Sequence, residues 1–250
     1  MQQHLRDILR KDPVRGVNLA CFAARYGVAS SVVVGESVLV RGTSDHTWVY
    51  LLPADEAGAR SLLDSLTAED HYLVGFDAWM LDLVRERFRP EWTLCCRKLA
   101  WPGDLTPAAP AHPIRPLALA DAAYLFDHSD YKTYTDIPYI EDQIQHGIGG
   151  GIAGPDGRLA AWALTHDDGA IGFLHVLEPF RKLGYGASLT RWMVQRVRER
   201  GGIPFVHIEP KNERSLSLAH KMGFQPCGEV WWVKGELRAP QNSAARGVLG

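Results

Sequence analysis

The stretch Phe173-Leu-His-Val-Leu-Glu-Pro-Phe-Arg-Lys-Leu-Gly-Tyr-Gly-Ala-Ser-Leu189 decides how this 250-residue chain reads. An apolar run over residues 170–177 predicts a strand, and residues 184–200 predict a helix that Gly201 and Gly202 stop. Between them Arg181, Gly184 and Gly186 stand in the spacing R-x-x-G-x-G. Glycines there let backbone approach a ligand, and the N–H groups of the first helical turn then converge on one spot. Together with the helix dipole and the charges of Arg181 and Lys182, they predict a seat for an anion such as a pyrophosphate.

The loop alone leaves the ligand open. A P-loop would need Gly-Lys followed by Ser or Thr, which is absent. A dinucleotide fingerprint would want Gly or Ala where Leu189 stands, yet Glu209 falls about where its acidic residue would fall. The next segments narrow the choice. Residues 203–208 predict a strand, followed by Asn212-Glu-Arg-Ser215-Leu-Ser-Leu218-Ala-His-Lys-Met-Gly223-Phe224. Asn212 fits as the N-cap of a helix with Ser215 three residues in, and Gly223 ends that helix before a further strand region over 224–234.

R-x-x-G-x-G after a strand, then N-x-x-S-x-x-L and Gly-Phe, resembles the GNAT superfamily of acyl-CoA N-acyltransferases. Gly202-Ile-Pro-Phe-Val206 and Phe224-Gln-Pro-Cys-Gly-Glu-Val-Trp-Trp232 resemble its glycine N-acyltransferase-like branch. The resemblance implies acetyl-CoA or another acyl-CoA as co-substrate, and a small-molecule amine or amino acid as acceptor. It places Leu174, His175 and Val176 along the pantetheine arm and wraps Arg181, Lys182, Leu183, Gly184, Tyr185, Gly186 and Ala187 round the pyrophosphate. It turns Asn212 and Ser215 towards the arm near the sulfur and gives the Val176 N–H the task of polarising the thioester carbonyl. Two positions depart from the pattern. The tyrosine expected seven residues after the asparagine is Ala219, and the acidic residue expected at the strand start falls near Ala170, with Asp167 and Asp168 in the turn before it. Glu209, through a water, and His175 are the candidate replacements in acid–base chemistry. A non-catalytic acyl-CoA-binding or regulatory module is the second reading.

Outward from this segment, four prolines between Trp101 and Pro113 predict a linker. The expected division is a first domain over 1–103, a linker over 104–111, a catalytic domain over 112–236 and a loose tail over 237–250. In the first half, a hairpin over 31–41 turns at Gly35-Glu36, and the segments 48–52, 55–66, 71–76, 78–88 and 92–99 read strand, helix, strand, helix, strand. That order repeats the order after residue 170, so the expected fold is α/β (α+β), with two GNAT-like domains, each a mixed, mostly antiparallel sheet flanked by helices. Where the second half has its glycine loop, the first has Pro53-Ala-Asp-Glu-Ala-Gly-Ala-Arg60, with acidic residues in place of anion donors, and is expected to bind no CoA. Gly149-Gly150-Gly151 reads as a flexible loop, or as a place where substrate approaches backbone.

Composition excludes other classes. A hydrophobic share of 46%, a charged share of 22% and a net charge of -2 describe a globular protein with no expected nucleic-acid or membrane partner. No apolar run is long enough for a spanning helix and no signal-peptide core is visible, so the expected location is cytoplasmic. The four cysteines form no CxxC pair and the histidines no metal spacing, so no metal is expected. Monomer and homodimer both remain open.

Overall fold

Amphipathic patterning opens the chain with two helices, α1 (Gln3–Lys11) and α2 (Val17–Tyr26), which bury Leu5, Leu9, Leu19 and Phe22. The computed structural model describes residues 3–129, 132 and 135–238. A valine-rich hairpin follows, β1 (Ser30–Val34) and β2 (Ser37–Thr43), turning at Gly35 with φ 59°. Next come β3 (Thr47–Leu52), α3 (Glu56–Asp64), β4 (Tyr72–Phe76), α4 (Leu81–Arg87) and β5 (Phe88–Ala100). The second half holds β6 (Arg115–Pro116), α5 (Ala122–Asp127), α6 (Ile137–His146), β7 (Gly149–Ala153), β8 (Leu159–Thr165) and β9 (Ile171–Val176). It closes with α7 (Tyr185–Glu199), β10 (Phe205–Ile208), α8 (Glu213–Met222) and β11 (Gln225–Leu237).

The strands form a mostly antiparallel arrangement flanked by helices, with orders β1-β2-β3-β4-β11-β5-β10 and β6-β7-β8-β9. The order of the larger sheet records an exchange. β11, from the second half, lies between β4 and β5 of the first, and β5 lies between β10 and β11 of the second. Each half therefore lends its last strand to the other. β5 and β11 pair antiparallel from Gln225↔Ala100 to Leu237↔Phe88. Pro226 and Pro90 offer no N–H to this ladder, and its register shifts fall beside them, between Pro226 and Gly228 and between Lys234 and Gly235, opposite Pro90.

Of the strand region expected over 224–234, residues 225–234 thus belong to one strand of 13 residues, Gln225–Leu237. That strand takes in Leu237, Arg238 donates its N–H to Arg87, and the remainder of the expected tail, 239–250, lies outside the described residues. The triple glycine is neither loop nor substrate approach. It forms most of β7, and a Cβ at Gly150 would lie 2.7 Å from the Trp192 ring of α7, so the missing side chain there lets helix and strand close up, while Gly149 and Gly151 make room for Leu117 and Leu159. Under α7, Leu189, Trp192, Met193 and Val197 pack against Ile152, Ala161, Val206 and Phe224. Among the described residues, no helix is long and apolar enough to cross a membrane.

Candidate functional site

The site begins where the two sheets part. β9 is the edge of one sheet and β10 the edge of the other, and the two lie side by side with no ladder between them. In the first half the corresponding strands β3 and β4 are joined by a parallel ladder, Trp48↔Tyr72 to Tyr50↔Val74. A wedge is therefore open in the second half and closed in the first.

β9 carries a bulge. Trp162 pairs with His175 and Leu164 with Gly172, so two residues of β9 face one of β8, and Phe173 sits at φ 47°. After the bulge the alternation is definite. Leu177 donates its N–H to Ala160 on β8 at 2.9 Å, so Val176, one residue earlier, turns its N–H and C=O to the open side. The carbonyl accepts from Arg181 Nε at 3.2 Å, and the N–H is directed into the wedge.

From there the chain turns through Lys182 (φ 64°) and Gly184 (φ 84°) into α7. Gly184 caps the helix without a side-chain acceptor. Ser188 is the first residue to bond back, to Gly184 O at 3.0 Å, which leaves the N–H groups of Tyr185, Gly186 and Ala187 outside the helical ladder. They face an open cavity of about 730 Å³. Its wall takes Val176 from β9, then Glu178, Phe180, Arg181, Lys182 and Gly184 from the loop, Tyr185, Gly186 and Ala187 from α7, and Arg214 and Leu218 from α8. A Cβ at Gly186 would meet its nearest neighbour, Leu218, at an ordinary 3.4 Å, so the protein's own packing does not demand glycine there. Its bare backbone faces the cavity.

Of the predicted cofactor residues, the structure thus brings Val176, Arg181, Lys182, Gly184, Tyr185, Gly186 and Ala187 to one cavity. Tyr185 packs, stacked on Phe180 at 6.1 Å and edge-on to His112 at 4.7 Å. Leu174 packs beneath α7, and Leu183 points outward, 53% exposed, with its carbonyl within 2.9 Å of His112 Nε2. Asn212 caps α8 as read, accepting from the Ser215 N–H at 3.1 Å, and neither residue lines the cavity. Glu178, Phe180 and Arg214 were not among the predicted site residues, and Leu218 was read only as the leucine of the N-x-x-S-x-x-L spacing; Arg214, a cation two residues past the asparagine, gave a sequence signal.

The acid–base candidates lie elsewhere. His175 stacks on its cross-strand partner Trp162 at 4.8 Å, on the face of β9 turned to α5 and α6. Glu209, just past β10, pairs with Lys211 at 2.8 Å and is not in the cavity wall. Ala219 is buried, so a methyl group occupies the position of the expected tyrosine. Asp168, in the turn before β9, is enclosed with His207 Nδ1 at 3.4 Å. Burial, then the charge of Asp167, pushes the Asp168 carboxyl up, while burial and Lys98 push His207 well down. This pair sits among buried groups and does not open on the cavity. Among the described residues, no cluster of three His, Cys, Asp or Glu side chains is placed to hold a metal.

The corresponding place in the first half is filled. Asp55 caps α3 by accepting from the Gly58 N–H at 2.7 Å, Ala54 donates to Ser37 Oγ at 2.8 Å, and Arg15 donates to the Pro53 carbonyl. Ile8, Lys11, Asp12 and Arg15 close over Leu52 and Ala54, leaving a cavity of only about 70 Å³.

Residues 150–233, from β7 into β11, match the FR47-like protein family model. The human glycine N-acyltransferase-like protein 2 is 29% identical over 108 residues, covering 40% of this chain and 35% of that protein. The chain therefore aligns with about a third of the length of that relative. An X-ray structure of a Drosophila protein superposes with a TM-score of 0.69 at 21% identity, over 80% of this chain and 74% of the other. A GCN5-related N-acetyltransferase from Kribbella flavida superposes at 0.57 with 18% identity, over 90% and 98%. At such identities the superpositions establish the fold.

Proposed function

We propose that this chain, which carries the GNAT fold, is an acyl-CoA-dependent N-acyltransferase, moving an acyl group, acetyl in the simplest case, to the amine of a small molecule or amino acid by direct attack. The observation that carries the reading is the start of α7: three unpaired N–H groups and a left-handed glycine cap, opening on a cavity with Arg181, Lys182 and Arg214 in its wall. That donor set fits a pyrophosphate, and the wedge beside β9 fits an extended arm. Leu174, His175 and Val176 would hold the pantetheine arm through backbone, with Asn212 and Ser215 flanking it from α8. Bound acyl-CoA supplies the acyl group as an activated thioester.

The protein's own part is then positioning and charge. The Val176 N–H, held outward by the ladder of Leu177 and by Arg181 on its carbonyl, donates to the thioester oxygen as negative charge gathers there. Glu209 takes the ammonium proton of the acceptor through a water. His175, on the opposite face of β9 from the α7 core, lies on the acceptor side. In this reading the catalytic unit is 112–236, the linker is 104–111, and the first half, with its closed counterpart cleft, binds no CoA. The four free thiols suit a reducing compartment such as the cytoplasm. Ala219 in place of a general-acid tyrosine favours the second reading, an acyl-CoA-binding module without turnover. Thiol release from acetyl-CoA, assayed across a panel of amines and amino acids, separates the two. Release that depends on one acceptor supports the transferase, and binding without release supports the module.

A further inference from the structure

Besides the exchanged strands, α2 and the turn after β2 meet the second half at three places near β9. Arg25 of α2 donates to Gln143 Oε1 at 2.7 Å, to the Asp142 carbonyl at 2.9 Å and to Asp142 Oδ2 at 2.7 Å. Tyr26 donates to the same Asp142 oxygen at 2.6 Å and accepts from Gln143 Nε2 at 3.3 Å. Gln143 is fully buried, so α6 relies on the first half to satisfy its amide. At the turn before β9, Ser44 Oγ donates to Asp167 Oδ2 at 2.7 Å. Beside it α2 presses on Gly169, where a Cβ would lie 2.8 Å from Cys21 Cβ.

Through α6 the grip reaches the bulge. Tyr139 of α6 lies 6.0 Å, ring to ring, from Phe173 and shares Asp167 with Ser44, its hydroxyl 3.4 Å from Oδ1. Phe173 holds a left-handed conformation that a non-glycine residue keeps only when its surroundings impose it. His166, 4.6 Å away, grips the same ring. The bulge in turn fixes which backbone groups of residues 174–176 face the wedge.

We infer that the first half is a clamp for the β9 bulge, with Arg25 and Tyr26 as positioning residues that act through α6 on the direction of the Val176 N–H. The inference rests on the acyltransferase reading for its catalytic consequence, but not for its structural one. It gives the first half a task in the second half's chemistry.

Hydrogen exchange and acyl-transfer kinetics on the full chain test it, with Arg25→Ala, Arg25→Lys and Tyr26→Phe. The last removes one hydroxyl and leaves the packing. The clamp predicts exchange at least about tenfold faster in 137–146 and 171–176, with α3 and α7 unchanged. It also predicts a fall in kcat of about tenfold, an unchanged KM for acetyl-CoA, and partial recovery in Arg25→Lys, which keeps the charge but not the fork. Unchanged exchange across β9 in folded Tyr26→Phe and Arg25→Ala overturns the clamp, whatever the kinetics. Faster exchange across β9 in a chain whose wild type releases no thiol upholds the clamp and rejects the transferase reading.

Discussion

Arg181 Nε donates to the carbonyl of Val176 at 3.2 Å, and this bond ties the glycine loop ahead of α7 to β9, whose Val176 N–H faces the thioester in the proposed function. The same side chain stands in the cavity wall with its guanidinium available for a second partner. Arg181→Ala removes both effects, so acetyl-CoA affinity is expected to fall about tenfold or more and kcat to fall with it. Arg181→Lys restores charge but no planar Nε donor, so it should recover affinity and leave kcat low. Titration and steady-state kinetics on the two variants check this split.

The first half offers no equivalent. Its α3 spends the Gly58 N–H on Asp55, its strand end is held by Ser37 and Arg15, and β3 and β4 stay zipped. One CoA per chain is the expected stoichiometry. Asp55→Ala should cost about 1 kcal/mol as a lost helix cap and create no second site. Denaturant unfolding reads the first outcome and calorimetric stoichiometry the second.

Acid should weaken the region around β9. Burial pushes the His166 imidazole down to about 4, from 6.5 when unfolded. Between those values the unfolded chain binds the extra proton, so this histidine's contribution is fully present above pH 6.5 and is lost as pH falls towards 4. The loss is about 2 kcal/mol, allowing for the part of the ring that solvent reaches. His166→Phe keeps an aromatic partner for Phe173 and should flatten the fall in Tm between pH 7 and pH 4.5. An equally steep fall in the variant would assign the acid sensitivity to other groups.

What the sequence disclosed follows from how local each signal is. The glycine turn into α7 was legible because its glycines and arginine lie together within residues 181–187 just ahead of the helix, and the Asn212 cap because its partner Ser215 is three residues away. The fold class was legible from the strand and helix order of the two halves. The exchange of β5 and β11 was not, because partner choice in a sheet depends on non-local packing and leaves no local pattern. Nor was the single long strand β11, since Pro226 and Gly228 resemble breaks and are bulge positions. The bulge at Phe173 was hidden for a different reason. Positive φ is written in sequence by glycine, and here tertiary packing imposes it on a phenylalanine. Gly149–Gly151 misled in the opposite direction, since their missing side chains make room for Trp192 on one face of β7 and for Leu117 and Leu159 on the other, rather than for a turn. Neither α1 nor α2 was read from the sequence, although α2 supplies the contacts that hold α6.

The most direct test of the central claim is calorimetric titration of acetyl-CoA into the wild-type chain, Gly186→Ala and Gly186→Asp. A Cβ at Gly186 meets nothing closer than 3.4 Å, so both variants should fold, which circular dichroism would check before the titration. The account predicts one site in the wild type, a modest loss in the alanine variant, and abolished binding in the aspartate variant, whose carboxylate would face the pyrophosphate. Wild-type affinity in Gly186→Asp, or no binding by the wild type, would contradict a CoA site at the start of α7.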